Sequence, residues 1–113
     1  MKAAQWRDAQ VLGWLEETLQ AEVVQLATAL GWKHYHTYNS RRSVAGFPDL
    51  VLAHDRFGRL LFRELKREGN YPTPAQRAWL KLLGDCGQDT GVWRPSDWAS
   101  GQIQRELSSR ASA

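Results

Sequence analysis

The chain has 113 residues, 42% of them hydrophobic and 24% charged. That balance fits one globular domain with a single core and excludes a disordered or membrane chain. Fifteen Lys and Arg against twelve Asp and Glu leave a formal charge of +3, which permits a polyanionic partner without demanding one, and a single cysteine excludes an internal disulfide.

In chain order, Leu12, Leu15, Leu19, Val23, Leu26 and Leu30 recur at three- and four-residue steps and predict a helix over 12–30. Gly31 stops it, and Gly13 sets off a short leading turn. "WKHYHTY", residues 32–38, reads as a strand and "NSRRSVAG" as a polar loop. Asp49–Ala53 and Leu60–Leu65 read as paired strands joined by "HDRFGR", whose Asp and Gly suit a hairpin. "NYPTP" breaks the chain before a helix from Pro74 to Leu83, with Thr73 as N-cap and Pro74 in the first helical position. A strand "TGVWR" and a helix from Pro95 to about Leu107 follow, with 107–113 as a frayed tail. The order, one helix, three strands, a helix, a strand and a helix, predicts a single mixed α/β domain over 1–113, with helices against a central sheet. Cys86 and the six tryptophans are expected as core or interface fillers. The three histidines lack zinc-ligand spacing and are expected as strand residues or phosphate contacts. No window reaches membrane-spanning length and the first residues lack a signal-peptide pattern, so a cytoplasmic protein without membrane contact is expected.

The paired strands carry acids where burial should be deepest. Simple hairpin register about residues 55–58 puts Asp49 opposite Glu64, and Lys66 shares the face of Glu64. Two facing carboxylates repel and are costly to desolvate unless something positive joins them. Glu22 is the third candidate. With Leu15 at zero and about 100° per residue, Leu19, Leu26 and Leu30 lie near 40°, 20° and 60°, and Glu22 near −20°. An acid on an apolar stripe breaks binary patterning, as functional residues do. Carboxylates and a lysine on one sheet suit a hard cation such as Mg²⁺ or Mn²⁺, and phosphodiester hydrolysis is the fitting reaction.

Glu22, Pro48-Asp49 and Glu64-Leu65-Lys66, in that order, resemble the PD-(D/E)XK nucleases. "GFPDLVL", "ELKREGNYPTPAQRAWLKLLGDCG" and Glu22-Val-Val-Gln25 are similar to the VRR-NUC branch of that superfamily. That branch includes small stand-alone proteins, often phage-encoded, and the nuclease domains of larger repair enzymes. The resemblance implies a restriction-endonuclease-like core of order αβββαβ plus a C-terminal helix. It implies Mg²⁺ or Mn²⁺ held by Glu22, Asp49, Glu64 and the Leu65 carbonyl, with Lys66 catalytic and Gln76 completing the motif. A metal-dependent DNA endonuclease follows, selective for branched or junction DNA, homodimeric like the Holliday junction resolvases, and in the host cytoplasm if phage-encoded. Arg41, Arg42 and Ser43, in the polar loop, together with Arg67 and Arg77, are expected to grip phosphates, and Lys81 and Arg94 extend the patch.

Each of these residues has a structural alternative. Glu64 and Lys66 could form a strand-end ion pair, Asp49 a turn, and Glu22 a surface pair, while Thr73-Pro74-Ala75-Gln76 has capping-box spacing. The rival function is a non-cleaving DNA-binding accessory module with a nuclease-like fold.

Overall fold

The computed structural model describes residues 3–37 and 44–110. The elements are α1 (Ala3–Leu12), α2 (Glu16–Ala29), β1 (Lys33–His36), β2 (Leu50–His54), β3 (Arg59–Leu65), α3 (Pro74–Asp85), β4 (Asp89–Trp93), α4 (Pro95–Ala99) and α5 (Gln102–Leu107). The helix expected over 12–30 is thus broken at its start. Leu15 is extended (φ −76, ψ 163), and a new helix begins at Glu16, where Glu16 and Glu17 suit the positive end of the helix dipole. Gly13 stands in the break, where a helix interior would cost about 1 kcal/mol relative to Ala. The expected C-terminal helix is likewise two, because Gly101 takes φ 84 between α4 and α5.

The four strands lie in the order β1-β2-β3-β4. β1, β2 and β3 run antiparallel and β4 parallel to β3. Leu50 pairs with Arg63 and His54 with Arg59, which is the register the hairpin sequence predicts. Side chains alternate across the sheet, so its two faces differ. One face presents Leu50, Leu52, Leu61, Leu65 and Trp93 to Leu19, Val23 and Ala27 of α2 and to Ile103 and Leu107 of α5, closing the core. Each large apolar side chain buried there contributes about 1.5–3 kcal/mol before entropy is counted. The other face is only partly covered, by α3, through Trp79 against Phe47 and Phe47 against Phe62.

Trp32 and Trp93 are buried as expected, whereas Trp14 and Trp98 form a tilted pair at 5.8 Å. Cys86, expected in the core, is exposed: it caps α3, a helix with no fully buried residue. His54 is a core residue. Its Nδ1 accepts from the Phe57 N–H at 3.1 Å, which leaves Nε2 to donate to the Leu30 carbonyl at 3.0 Å.

Arg63 alternates with Leu61 and Leu65 and therefore enters the core, where it is 3% exposed. Its guanidinium meets Asp89 and Glu106, each at 2.8 Å, and lies 5.0 Å from the Trp93 ring centroid. Burial acts to raise both carboxyls. The hydrogen bonds and charge of Arg63, with Arg59 at Asp89 and with Gln102 and Trp93 at Glu106, outweigh it and hold both below the ordinary range. This stabilisation is present above the ordinary carboxylate pKa and is lost on acidification. Arg59 also donates to the carbonyls of Glu106 and Ser109, and Trp32 Nε1 to that of Leu107 at 2.8 Å. The segment from 107 onward, expected to fray, is therefore anchored as far as Ser109, and 111–113 lie outside the described residues.

Candidate active site

Hairpin register, continued one step past Leu50 and Arg63, brings Asp49 to face Glu64. Asp49 Oδ2 accepts the Leu65 N–H at 2.9 Å, which holds the carboxylate across the strand end. Glu64 is 1% exposed. Its Oε1 accepts from Gln76 Nε2 at 3.2 Å. Gln76 Oε1 accepts the Thr73 N–H at 2.8 Å while its own N–H donates to Thr73 Oγ1, a complete capping box. The two alternatives for Gln76 therefore coexist. Capping fixes the amide oxygen toward Thr73 and so points the amide nitrogen at Glu64.

Gly46 sets the distance between these elements. It has φ 93, and a Cβ there would stand 2.5 Å from the Ala75 carbonyl carbon. Only glycine lets the loop before Asp49 press onto the first turn of α3.

Burial pushes Glu64 from its ordinary 4.5 up to about 9, helped by a hydrogen bond with Asp49 and by repulsion from it, with Lys66 opposing and Glu16 adding to the rise. In the absence of a cation Glu64 thus keeps its proton at neutral pH. As a carboxylate, Glu64 would leave buried Oε2 without a partner. A proton or a cation answers that need, and two facing acidic oxygen donors suit a hard divalent ion. Among the described residues no three His, Cys, Asp or Glu side chains converge as a ready cage. The side chains that could hold an ion are therefore Asp49 and Glu64, with Leu65, whose amide already engages Asp49, between Glu64 and Lys66.

A measurable consequence follows from the raised Glu64. The folded state holds this proton more tightly than the unfolded chain, so the stabilisation is complete below 4.5 and is lost as pH rises toward about 9. In EDTA, the free energy of urea unfolding of the wild type should fall across that window, by at most about 1.4 kcal/mol per pH unit. Glu64→Gln should flatten the decline, and an unchanged pH slope in that variant would show that Glu64 does not carry the proton.

On α2 the acid nearest the buried stripe is Glu16 and not Glu22. The buried stripe of α2 is Leu19, Val23 and Ala27. With Val23 at zero and about 100° per residue, Leu19 and Ala27 lie near −40° and 40°, Glu16 near 20° and Glu22 near −100°. Glu16 is the α2 acid whose charge reaches Glu64. Glu22 is half-buried and, among the described residues, makes no hydrogen bond or ion pair. The misplacement came from centring the stripe on Leu15, which is 55% exposed. If the α2 acid acts at the site, Glu16→Gln should lower DNA cleavage about tenfold or more and Glu22→Gln by less than about twofold. Side-by-side turnover of the two variants decides it.

Arg41, Arg42 and Ser43 lie outside the described residues. Arg67 is exposed. Arg77 donates to the Pro72 carbonyl at 2.8 Å, and Lys81 pairs with Asp85 at 2.6 Å. Arg94 is held on the Asn70 carbonyl with its guanidinium 5.3 Å from the Tyr71 ring centroid, close in sequence to Trp93, whose carbonyl accepts the Lys66 N–H.

A mixed four-stranded sheet with helices on both faces, carrying Asp, Glu and Lys at the end of its central hairpin, defines a restriction-endonuclease-like nuclease fold. The sequence model of the VRR-NUC domain matches residues 4–97, and the chain belongs to the VRR-NUC family, within the PD-(D/E)XK superfamily. Two solved structures are similar. One, a VRR-NUC domain, has 26% identity and a TM-score of 0.66, covering 79% of this chain and 94% of the other. The second, a VRR-NUC domain protein, has 26% identity and a TM-score of 0.65, covering 88% and 94%. No curated protein matches the sequence. Family membership gives a nuclease-type domain with DNA as its partner. Among the described residues no helix is long and apolar enough to cross a membrane.

Proposed function

We propose that this protein is a Mg²⁺- or Mn²⁺-dependent DNA endonuclease that selects branched or junction DNA. The observation that carries the reading is buried Glu64, with its unpartnered Oε2, facing half-buried Asp49 and beside Lys66 on the same face. A divalent cation bound by Asp49, Glu64 and the Leu65 carbonyl would polarise the scissile phosphoryl group and acidify water. In the hydrolysis a water oxygen bonds to phosphorus and the ester P–O bond breaks. One water proton stays on the new phosphate hydroxyl and the other ends on the departing sugar oxygen. The Lys66 ammonium offsets the negative charge that grows on the phosphoryl oxygens. Gln76 holds the Glu64 carboxyl in place, and Glu16 replaces Glu22 as the acid from α2.

Among the described residues there is no helix-turn-helix or zinc module, so the selectivity of this domain would come from DNA shape rather than sequence. A homodimer would place two such sites in symmetric relation for paired cuts. The test is incubation of purified protein with labelled linear, flapped and four-way-junction DNA in Mg²⁺, Mn²⁺ or EDTA. Metal-dependent cuts at branch points are expected. Binding without cleavage in either metal would overturn the reading and favour a non-cleaving accessory module.

A further inference from the structure

A cavity of about 300 Å³ opens on the α3 face of the sheet, lined by Tyr35, Thr37, Val44, Phe47 and Trp79. Its place relative to the acids is fixed by register. The Thr37 N–H bonds to the Asp49 carbonyl at 3.0 Å, so Thr37, Asp49 and Glu64 form one row across the sheet. With neighbouring strands about 4.8 Å apart, the cavity begins roughly 10 Å from Glu64.

The chemistry of the lining is selective. It contains three aromatic rings, with Phe47 and Trp79 edge-on to one another at 5.2 Å, and Tyr35 is 65% exposed. Among the described residues no lining side chain is charged. Of its two hydroxyls, that of Thr37 already donates to the Pro48 carbonyl at 3.2 Å, which leaves the Tyr35 phenol. Among these residues a phosphate would find no cation, and a sugar few hydrogen-bonding groups, the Tyr35 phenol and the Trp79 N–H. A flat, apolar heteroaromatic ring would be matched on its faces. The volume is at the small end of the range of about 300–1,000 Å³ for pockets that enclose small ligands.

We propose that this cavity receives one unstacked nucleobase of the DNA strand whose phosphate lies at Asp49 and Glu64. The proposal rests on the nuclease reading and names what the site selects: DNA with an unpaired base beside the cut. Stacking tolerates any base, because every base has a π-face, and a base already unpaired costs least to turn out. The cavity therefore selects structure and not sequence.

The test uses the full-length protein with Ca²⁺ and flapped duplexes carrying a single 2-aminopurine at successive positions around the branch. The fluorescence of one position should change on binding. Tyr35→Ala, at an exposed site, should abolish that change and weaken flap binding about tenfold, the effect of losing one stacked base, with binding of fully paired duplex unaltered. An abasic site at the reporting position should weaken wild-type binding equally and leave Tyr35→Ala with no further loss. Equal weakening on paired and flapped DNA, or no position-specific signal, would overturn the proposal. So would a dimer that dissociates on Tyr35→Ala, which would seat a second copy in the cavity. The signal is read without cleavage, so the two readings fail separately. Base capture by a protein that never cuts in Mg²⁺ or Mn²⁺ removes only the nuclease reading, and normal cleavage without base capture removes only this one.

Discussion

Asp49→Ala is expected to abolish DNA cleavage in Mg²⁺ or Mn²⁺ while DNA binding, measured in Ca²⁺, stays within about twofold of wild type. The expectation rests on the paucity of donors. Asp49 and Glu64 supply the facing carboxyls, and no third acidic or histidine side chain converges with them among the described residues. Loss of Asp49 leaves one carboxyl, that of Glu64, which burial by itself pushes upward. The alanine also strands the Leu65 N–H that Asp49 Oδ2 accepts. An unpaired amide there costs about 1–3 kcal/mol, so lost activity in Asp49→Ala could be confused with lost fold. Asp49→Asn separates the two, because its amide oxygen still accepts from Leu65 while the negative charge is gone. Cleavage by Asp49→Asn near the wild-type rate would end the mechanism. The sequence alone suggests that removing Asp49 should stabilise the metal-free fold by relieving repulsion. The structure changes that expectation: the proton that Glu64 holds already relieves it, and little or no gain should be seen near neutral pH.

The hairpin was legible because its information is local. A short turn fixes the register, and one residue of slip would turn Leu50, Leu52 and Leu61 to the wrong face, so counting outward from the turn located the Asp49–Glu64 encounter. Thr73, Pro74 and Gln76 were legible for the same reason, since a capping box lies within four residues. Glu16 was not, because the direction of α2 depends on which of its apolar residues meet the sheet. Leucines mark the wrong stripe: Leu15 is exposed, and a small residue, Ala27, completes the true one. Arg63 carried a readable signal that went unused. It sits between Leu61 and Leu65 on the alternation that faces the core, and a charge there needs partners, which Asp89 and Glu106 supply from distant elements. Cys86 was misplaced because α3 covers the sheet only partly, a tertiary fact that its own composition does not reveal.

Lys66→Met should reduce turnover by about two orders of magnitude or more while cation affinity changes little. Strand alternation puts Lys66 on the face of Glu64, and its N–H bond to the Trp93 carbonyl fixes the backbone where β3 leaves the sheet. Its charge is felt at Glu64, where it opposes the upward shift that burial and Asp49 impose. An ammonium is not a cation ligand, so its removal should spare metal binding; by the same argument it should make Glu64 harder to deprotonate. Metal titrations by calorimetry at two pH values test both parts. At high pH, where Glu64 is ionised in either protein, affinities should agree, and near neutrality the variant's apparent affinity should be the lower, because its Glu64 gives up the proton less readily. Methionine keeps most of the aliphatic stem, so lost packing does not explain the defect. Turnover at saturating metal close to wild type, with affinity lost at every pH, would make Lys66 a support for the carboxylates instead of a partner to the phosphoryl charge.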